Sequence, residues 1–89
     1  MKKAIVSVIG KDKKGIIAGV TQTLFELDIN VLDITQTIMQ EYFTMIMLVS
    51  IEESADFAVL SAKLKETGEK LGVTVAIQHE DIFNAMHRI

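Results

Sequence analysis

The chain has 89 residues, is 49% hydrophobic, and carries 9 Lys and Arg against 12 Asp and Glu for a net charge of −3. That length excludes a second folded domain, that apolar content excludes intrinsic disorder, and that charge balance argues against nucleic acid, which is held by basic surface neutralising phosphates. The absence of cysteine excludes disulfides, thiolate catalysis and sulfur-ligated zinc.

Ala4 to Ile9 is a short, β-branched and nearly continuous apolar run closed by Gly10, which predicts a central strand rather than a signal peptide. No apolar stretch approaches the ~18 to 20 residues of a membrane-spanning helix, so the expectation is a soluble, cytoplasmic protein with no membrane partner. After the loop Gly10-Lys11-Asp12-Lys13-Lys14-Gly15, the residues Ile16, Ile17, Val20, Leu24 and Leu27 recur at helical spacing. This first helix should stop near Asp28-Ile29-Asn30, where short polar side chains compete for backbone hydrogen bonds.

From Val31 to Met39 the pattern alternates, with Leu32, Ile34 and Ile38 on one face and Asp33, Thr35 and Thr37 on the other. Gln40-Glu41-Tyr42 is short enough for a hairpin into the apolar run Phe43 to Ile51, so the second and third strands should pair antiparallel. Ser54 is placed to cap a second helix marked by Phe57, Leu60, Leu64 and Leu71 and ending at Gly72, with Gly68 weakening its last turn. Val73 to Ile77 reads as a fourth strand, and Ile82, Phe83, Met86 and Ile89 predict a short C-terminal helix or arm over residues 80–89.

The order βαββαβ, with right-handed crossovers and a central hairpin, predicts an α+β, ferredoxin-like domain: a four-stranded antiparallel sheet with both helices on one face. Its other face is left open and apolar, which calls for the tail or a second copy of the chain against it. A domain this small gains burial by association, so a homodimer or higher homo-oligomer is expected.

No phosphate-binding loop, dinucleotide fingerprint, zinc helix or nucleophile elbow is present, and no positioned base and orienter can be found, so the chain reads as a non-enzyme with no cofactor. His79 beside Glu80 and Asp81, with His87 further on, fits no common zinc spacing, and no metal site is expected. Lys11, Lys13 and Lys14 have no flanking aromatics for base stacking and read as a solvated charge run. Met39, Met45 and Met47 read as core. The polar second-strand residues Asp33, Thr35, Gln36 and Thr37 serve equally well as a solvated face, or as a subunit interface or the lining of a ligand pocket reached from the neighbouring chain.

The loop Gly10 to Gly15 is the feature with chemical content. At the start of a helix, unpaired backbone N–H groups and the helix dipole favour an anion, and glycine lets a ligand approach closely, although a solvated connector needs the same glycine. Asn30 is expected to approach that loop through the first two strands, so that Asp12 or Asn30 takes the ammonium of a zwitterion whose carboxylate meets loop amides. It also reads simply as a turn residue.

The stretch Gly10-Lys11-Asp12-Lys13-Lys14-Gly15-Ile16-Ile17, then Leu27 to Ile34, and the strand Phe43-Thr44-Met45-Ile46-Met47 resemble an ACT domain. The likeness covers essentially all of residues 1–89 and is nearest to stand-alone ACT proteins and to the ACT repeats of the glycine cleavage system repressor and formyltetrahydrofolate deformylase. It implies a dimer that binds an amino acid between subunits through the first loop and the start of the second strand. The ligand-binding candidates it implies are Asp12, Gly15, Ile16 and Asn30. Lys14 stands where many members carry proline, so the loop lacks proline's fixed φ and its choice of ligand is not carried over. The expected role is regulation of an unidentified protein partner through a small-molecule ligand; the other reading is a ligand-free module that docks on an enzyme or regulator.

Overall fold

The computed structural model describes residues 2–11 and 15–79. The elements follow as β1 (Lys2–Gly10), α1 (Ile16–Glu26), β2 (Asn30–Met39), β3 (Tyr42–Ile51), α2 (Phe57–Leu71) and β4 (Thr74–His79). One sheet of four strands runs β2-β3-β1-β4, and every neighbouring pair is antiparallel. This is the expected ferredoxin-like arrangement. The expected C-terminal helix, at residues 80–89, lies outside the described residues, as do Asp12, Lys13 and Lys14.

The core lies between the sheet and the two helices. Val6 and Val8 of β1 and Met45, Met47 and Val49 of β3 meet Val20 and Leu24 of α1 and Leu60 and Leu64 of α2, all buried. Their alternation in the strands and three- or four-residue spacing in the helices reproduce the periods of the two structures. Met45 and Met47 are core residues as expected; Met39, at the hairpin, is 68% exposed.

Helix ends are set by local chemistry. The chain leaves α1 through Leu27 and a left-handed Asp28 at φ 58°. The cap of α2 is Asp56, whose carboxylate accepts the Ala58 N–H at 3.0 Å, and not Ser54 as the sequence had led us to expect. The aspartate sits one residue before Phe57, at the position from which its side chain reaches the free amides of the first turn.

Gly72, at φ 74°, closes α2 in the left-handed conformation that glycine favours. Gly68 has a packing role instead of a weakening one. A Cβ there would stand 2.7 Å from the Val73 carbonyl oxygen, so the last turn of α2 can press against β4 only without a side chain. Among the described residues, no helix is long and apolar enough to cross a membrane.

Candidate functional site

Gly15 is the residue before α1, at φ 79° and ψ −13°, and its carbonyl accepts the Gly19 N–H at 3.0 Å. Among the described residues no side chain caps this end, and the first turn contains no acidic residue. The first amides of α1 therefore point out of the helix with its positive dipole end behind them. Ile16 turns its side chain into the core, 3% exposed, which leaves only its backbone at the turn.

Lys11 precedes this turn and sets its ammonium 5.9 Å from the centre of the Tyr42 ring, tying the loop to the β2–β3 hairpin. Beside it opens a groove of about 580 Å³, lined by Gly10, Lys11, Tyr42, Glu69 and Gly72 among others. A second groove of about 550 Å³ lies between α1 and α2. Its floor is closed by a 2.8 Å hydrogen bond between the hydroxyls of Thr23 and Thr67, which leaves those groups engaged with each other.

Asn30 stands elsewhere. It pairs with Ser50, which pairs with Lys3, whereas Gly10 pairs with Phe43. Strands β1 and β2 run in the same direction on either side of β3, so the start of β2 lies at the start of β1, and the loop after Gly10 lies at the opposite end. The seven residue steps of β3 from Phe43 to Ser50 amount to about 23 Å. Within one chain, then, the structure does not bring Asn30 to Gly15 as expected.

What does adjoin Asn30 is Ser50, a residue the sequence reading passed over. It is 5% exposed, and its hydroxyl has no hydrogen-bond partner among the described residues. Directly opposed residues in antiparallel strands hold their Cβ atoms about 5 Å apart, so the amide and the free hydroxyl are close together on one face. The signal available in the sequence was a hydroxyl among the buried positions of an otherwise apolar strand.

Strand β2 is an edge of the sheet, and all of its residues are exposed. Its register slips between Val31 and Asp33, leaving Leu32 as an extra residue. Past that bulge, Ile34, Gln36 and Ile38 oppose the buried Met47, Met45 and Phe43, on the helix side of the sheet, while Asp33, Thr35 and Thr37 lie on the open side. His79 stacks on Phe57 with ring centres 4.1 Å apart, and among the described residues no group of acidic and histidine side chains is placed to hold a metal.

Comparison with known proteins gives the family. The family model of the ACT domain matches residues 2–78. A UPF0237 protein of Clostridium acetobutylicum is 59% identical over 88 residues, covering 98% of this chain and 99% of that protein. Among solved structures, an ACT domain protein from Streptococcus pneumoniae superposes with a TM-score of 0.85 at 46% identity, covering 97% of this chain and 98% of that one.

A structure described as a glycine cleavage system transcriptional repressor (TM-score 0.78, 18% identity, 85% of this chain, 45% of that one) shares the fold. So does a formyltetrahydrofolate deformylase from Pseudomonas putida (TM-score 0.79, 20% identity, 89% of this chain, 29% of that one). With its sheet order, its βαββαβ chain path and these likenesses over nearly its whole length, the chain belongs to the ACT domain family of regulatory ligand-binding domains.

Proposed function

We propose that the protein is a homodimeric sensor that binds a small amino-acid-like metabolite in a cleft shared by two subunits and relays the signal to a protein partner. The observation that carries this reading is the edge strand β2, exposed throughout and bearing Val31, Leu32, Ile34 and Ile38 at 37–55% exposure. A long apolar edge attracts other strands unless it is covered, and a second copy about a two-fold axis covers this one with its own equivalent. Two β2 strands paired in this way run antiparallel, so the Asn30 end of one subunit meets the loop end of the other. The distance that separates Asn30 from Gly15 in one chain is removed by the second.

In that cleft the roles follow from charge. The free amides at the start of α1, from Gly15 and Ile16 onward, suit a carboxylate. The Asn30 amide oxygen accepts from an ammonium, and Asp12 supplies the negative charge it requires. A ligand that spans two subunits binds the dimer and not the separated chains, and it shifts their equilibrium by that difference.

A thermal-shift screen of the purified chain against the common amino acids, folates and nucleotides tests the reading, since binding to the native state raises Tm by mass action. One amino acid should raise Tm with increasing concentration, and Asn30→Ala should abolish the effect. The alternative, a ligand-free docking module, draws support from the open sheet face, where Ile9, Tyr42 and Ile46 are 50%, 46% and 36% exposed. Silence across the panel, together with recovery of one stoichiometric protein partner without added metabolite, would decide for it.

A further inference from the structure

We propose that the segment of residues 80–89 lies across the open face of the sheet, from β4 over β1 and β3 to β2, and covers the end of that face where Ile5 and Ser50 stand. The proposal requires neither the dimer nor its ligand. It starts from an unequal burial. Ile5 and Ile9 share one face of β1, yet Ile5 is 8% exposed and Ile9 is 50%. Ile5 takes no part in the core between the sheet and the helices. Its neighbours on the open side are Leu48 of β3 and Gln78 of β4. Ser50, two residues beyond Leu48, lies between Lys3 and Asn30 and is 5% exposed, whereas Ile46, two residues before it, is 36% exposed.

Both helices pack on the other face, so neither supplies this cover. The burial is a property of the single chain, so a second copy is not its source. Residues 12–14 follow Gly10, at the opposite end of the sheet. The segment after His79 begins where the cover is found: His79 pairs with Ala4, so the next residue stands level with Lys3.

Length, pattern and charge fit that seat. Ile82, Phe83, Met86 and Ile89 recur at helical spacing and form one apolar stripe. Ten helical residues rise about 15 Å, and the three strand spacings from β4 to β2 come to about 14 Å. The segment opens with Glu80 and Asp81, beside the exposed Lys3. It closes with His87 and Arg88, which the crossing brings to β2, where Asp33 is exposed on the open side. Each end thus meets the opposite charge. A cover in this place borders Asn30 and leaves Ile9, Ile46 and Tyr42 as the apolar part of the face open to another protein.

The chain contains no cysteine, so an introduced thiol reports its own exposure. Full-length Ser50→Cys and Ile9→Cys proteins would be labelled with a maleimide, with circular dichroism confirming that each is folded. Ser50→Cys should react at least about tenfold more slowly than Ile9→Cys, by the same factor throughout a dilution series. Adding Phe83→Asp and Met86→Asp should bring its rate to within about threefold of that of Ile9→Cys. Independently of Ser50, a chain carrying Asp33→Cys and Arg88→Cys should close an internal disulfide in a glutathione buffer. A chain carrying Asp33→Cys and Asp81→Cys should not, because Asp81 lies about 10 Å back along the segment.

Equal labelling of folded Ser50→Cys and Ile9→Cys overturns the cover. Protection that survives both aspartates overturns the segment as its source, and protection lost on dilution assigns the cover to a second copy of the chain instead. Failure of the pair with Arg88→Cys to close, or closure through Asp81→Cys in its place, overturns the crossing to β2.

Discussion

Replacement of Ile38 by lysine probes the edge of β2 without touching the core. Ile38 is 55% exposed in the single chain, on the helix side of the sheet, with Phe43 opposite it on β3. Burying an isoleucine fully is worth about 1.5–3 kcal/mol, so covering its exposed half is worth about 1–1.5 kcal/mol. Each dimer contains two copies, and Ile38→Lys should weaken association by about 2–3 kcal/mol, on the order of a hundredfold in the dissociation constant.

The fold itself should hardly change, because an exposed substitution on an edge strand shifts stability within about 0.5 kcal/mol and lysine is a residue natural edges tolerate. Sedimentation velocity over a dilution series measures the first effect, and chemical denaturation at a concentration where both proteins are monomeric measures the second. A dissociation constant within about threefold of the parent's would refute the argument, since no register that buries Ile38 can spare so much apolar contact.

Ser50→Ala removes a buried hydroxyl that has no partner among the described residues, and should raise stability by about 1 kcal/mol, or Tm by about 4–8 °C in a domain of this size. Destabilisation in denaturant titration would mean that the hydroxyl is bonded. Gly68→Ala, which in an open helix would add about 1 kcal/mol, should here cost about 1–3 kcal/mol, because the new methyl group meets the Val73 carbonyl at 2.7 Å; a stability gain in the same titration would refute that packing. Asp56→Ala should cost about 1 kcal/mol through loss of the α2 cap, read from the urea midpoint, and Ser54→Ala should cost nearly nothing.

Much of the architecture could be read from periodicity. The spacing of Val20 and Leu24, and of Leu60 and Leu64, marks two helices that share one core, and the apolar run from Ala4 marks a strand held between two others. The bulge at Leu32 could not be read in this way, because Leu32, Ile34 and Ile38 keep a plausible alternation in the sequence. Only the pairing with β3 reveals the extra residue. Gly68 looked like a weak helix former because its propensity is visible in the sequence and its neighbour, the Val73 carbonyl, is not.

The candidate site was legible by residue type and not by position. Gly15 stands at a left-handed turn just before α1, but Asn30 stands at the far end of the sheet. The βαββαβ path already implies that separation, since the loop follows the end of β1, Asn30 begins β2, and the two strands run the same way. In the proposed dimer it is the second subunit that would bring them together.

The claim at the centre of this account is that each cleft takes its loop from one subunit and its asparagine from the other. Subunit complementation tests it most directly, with the amino acid that gives the largest thermal shift as the probe. Asn30→Ala and Gly15→Val, each without binding alone, would be mixed, dissociated and reassociated. The mixed dimer should regain one intact cleft of its two and bind the probe with the parent's affinity at half occupancy or less; a mixture as silent as its components would contradict the shared site.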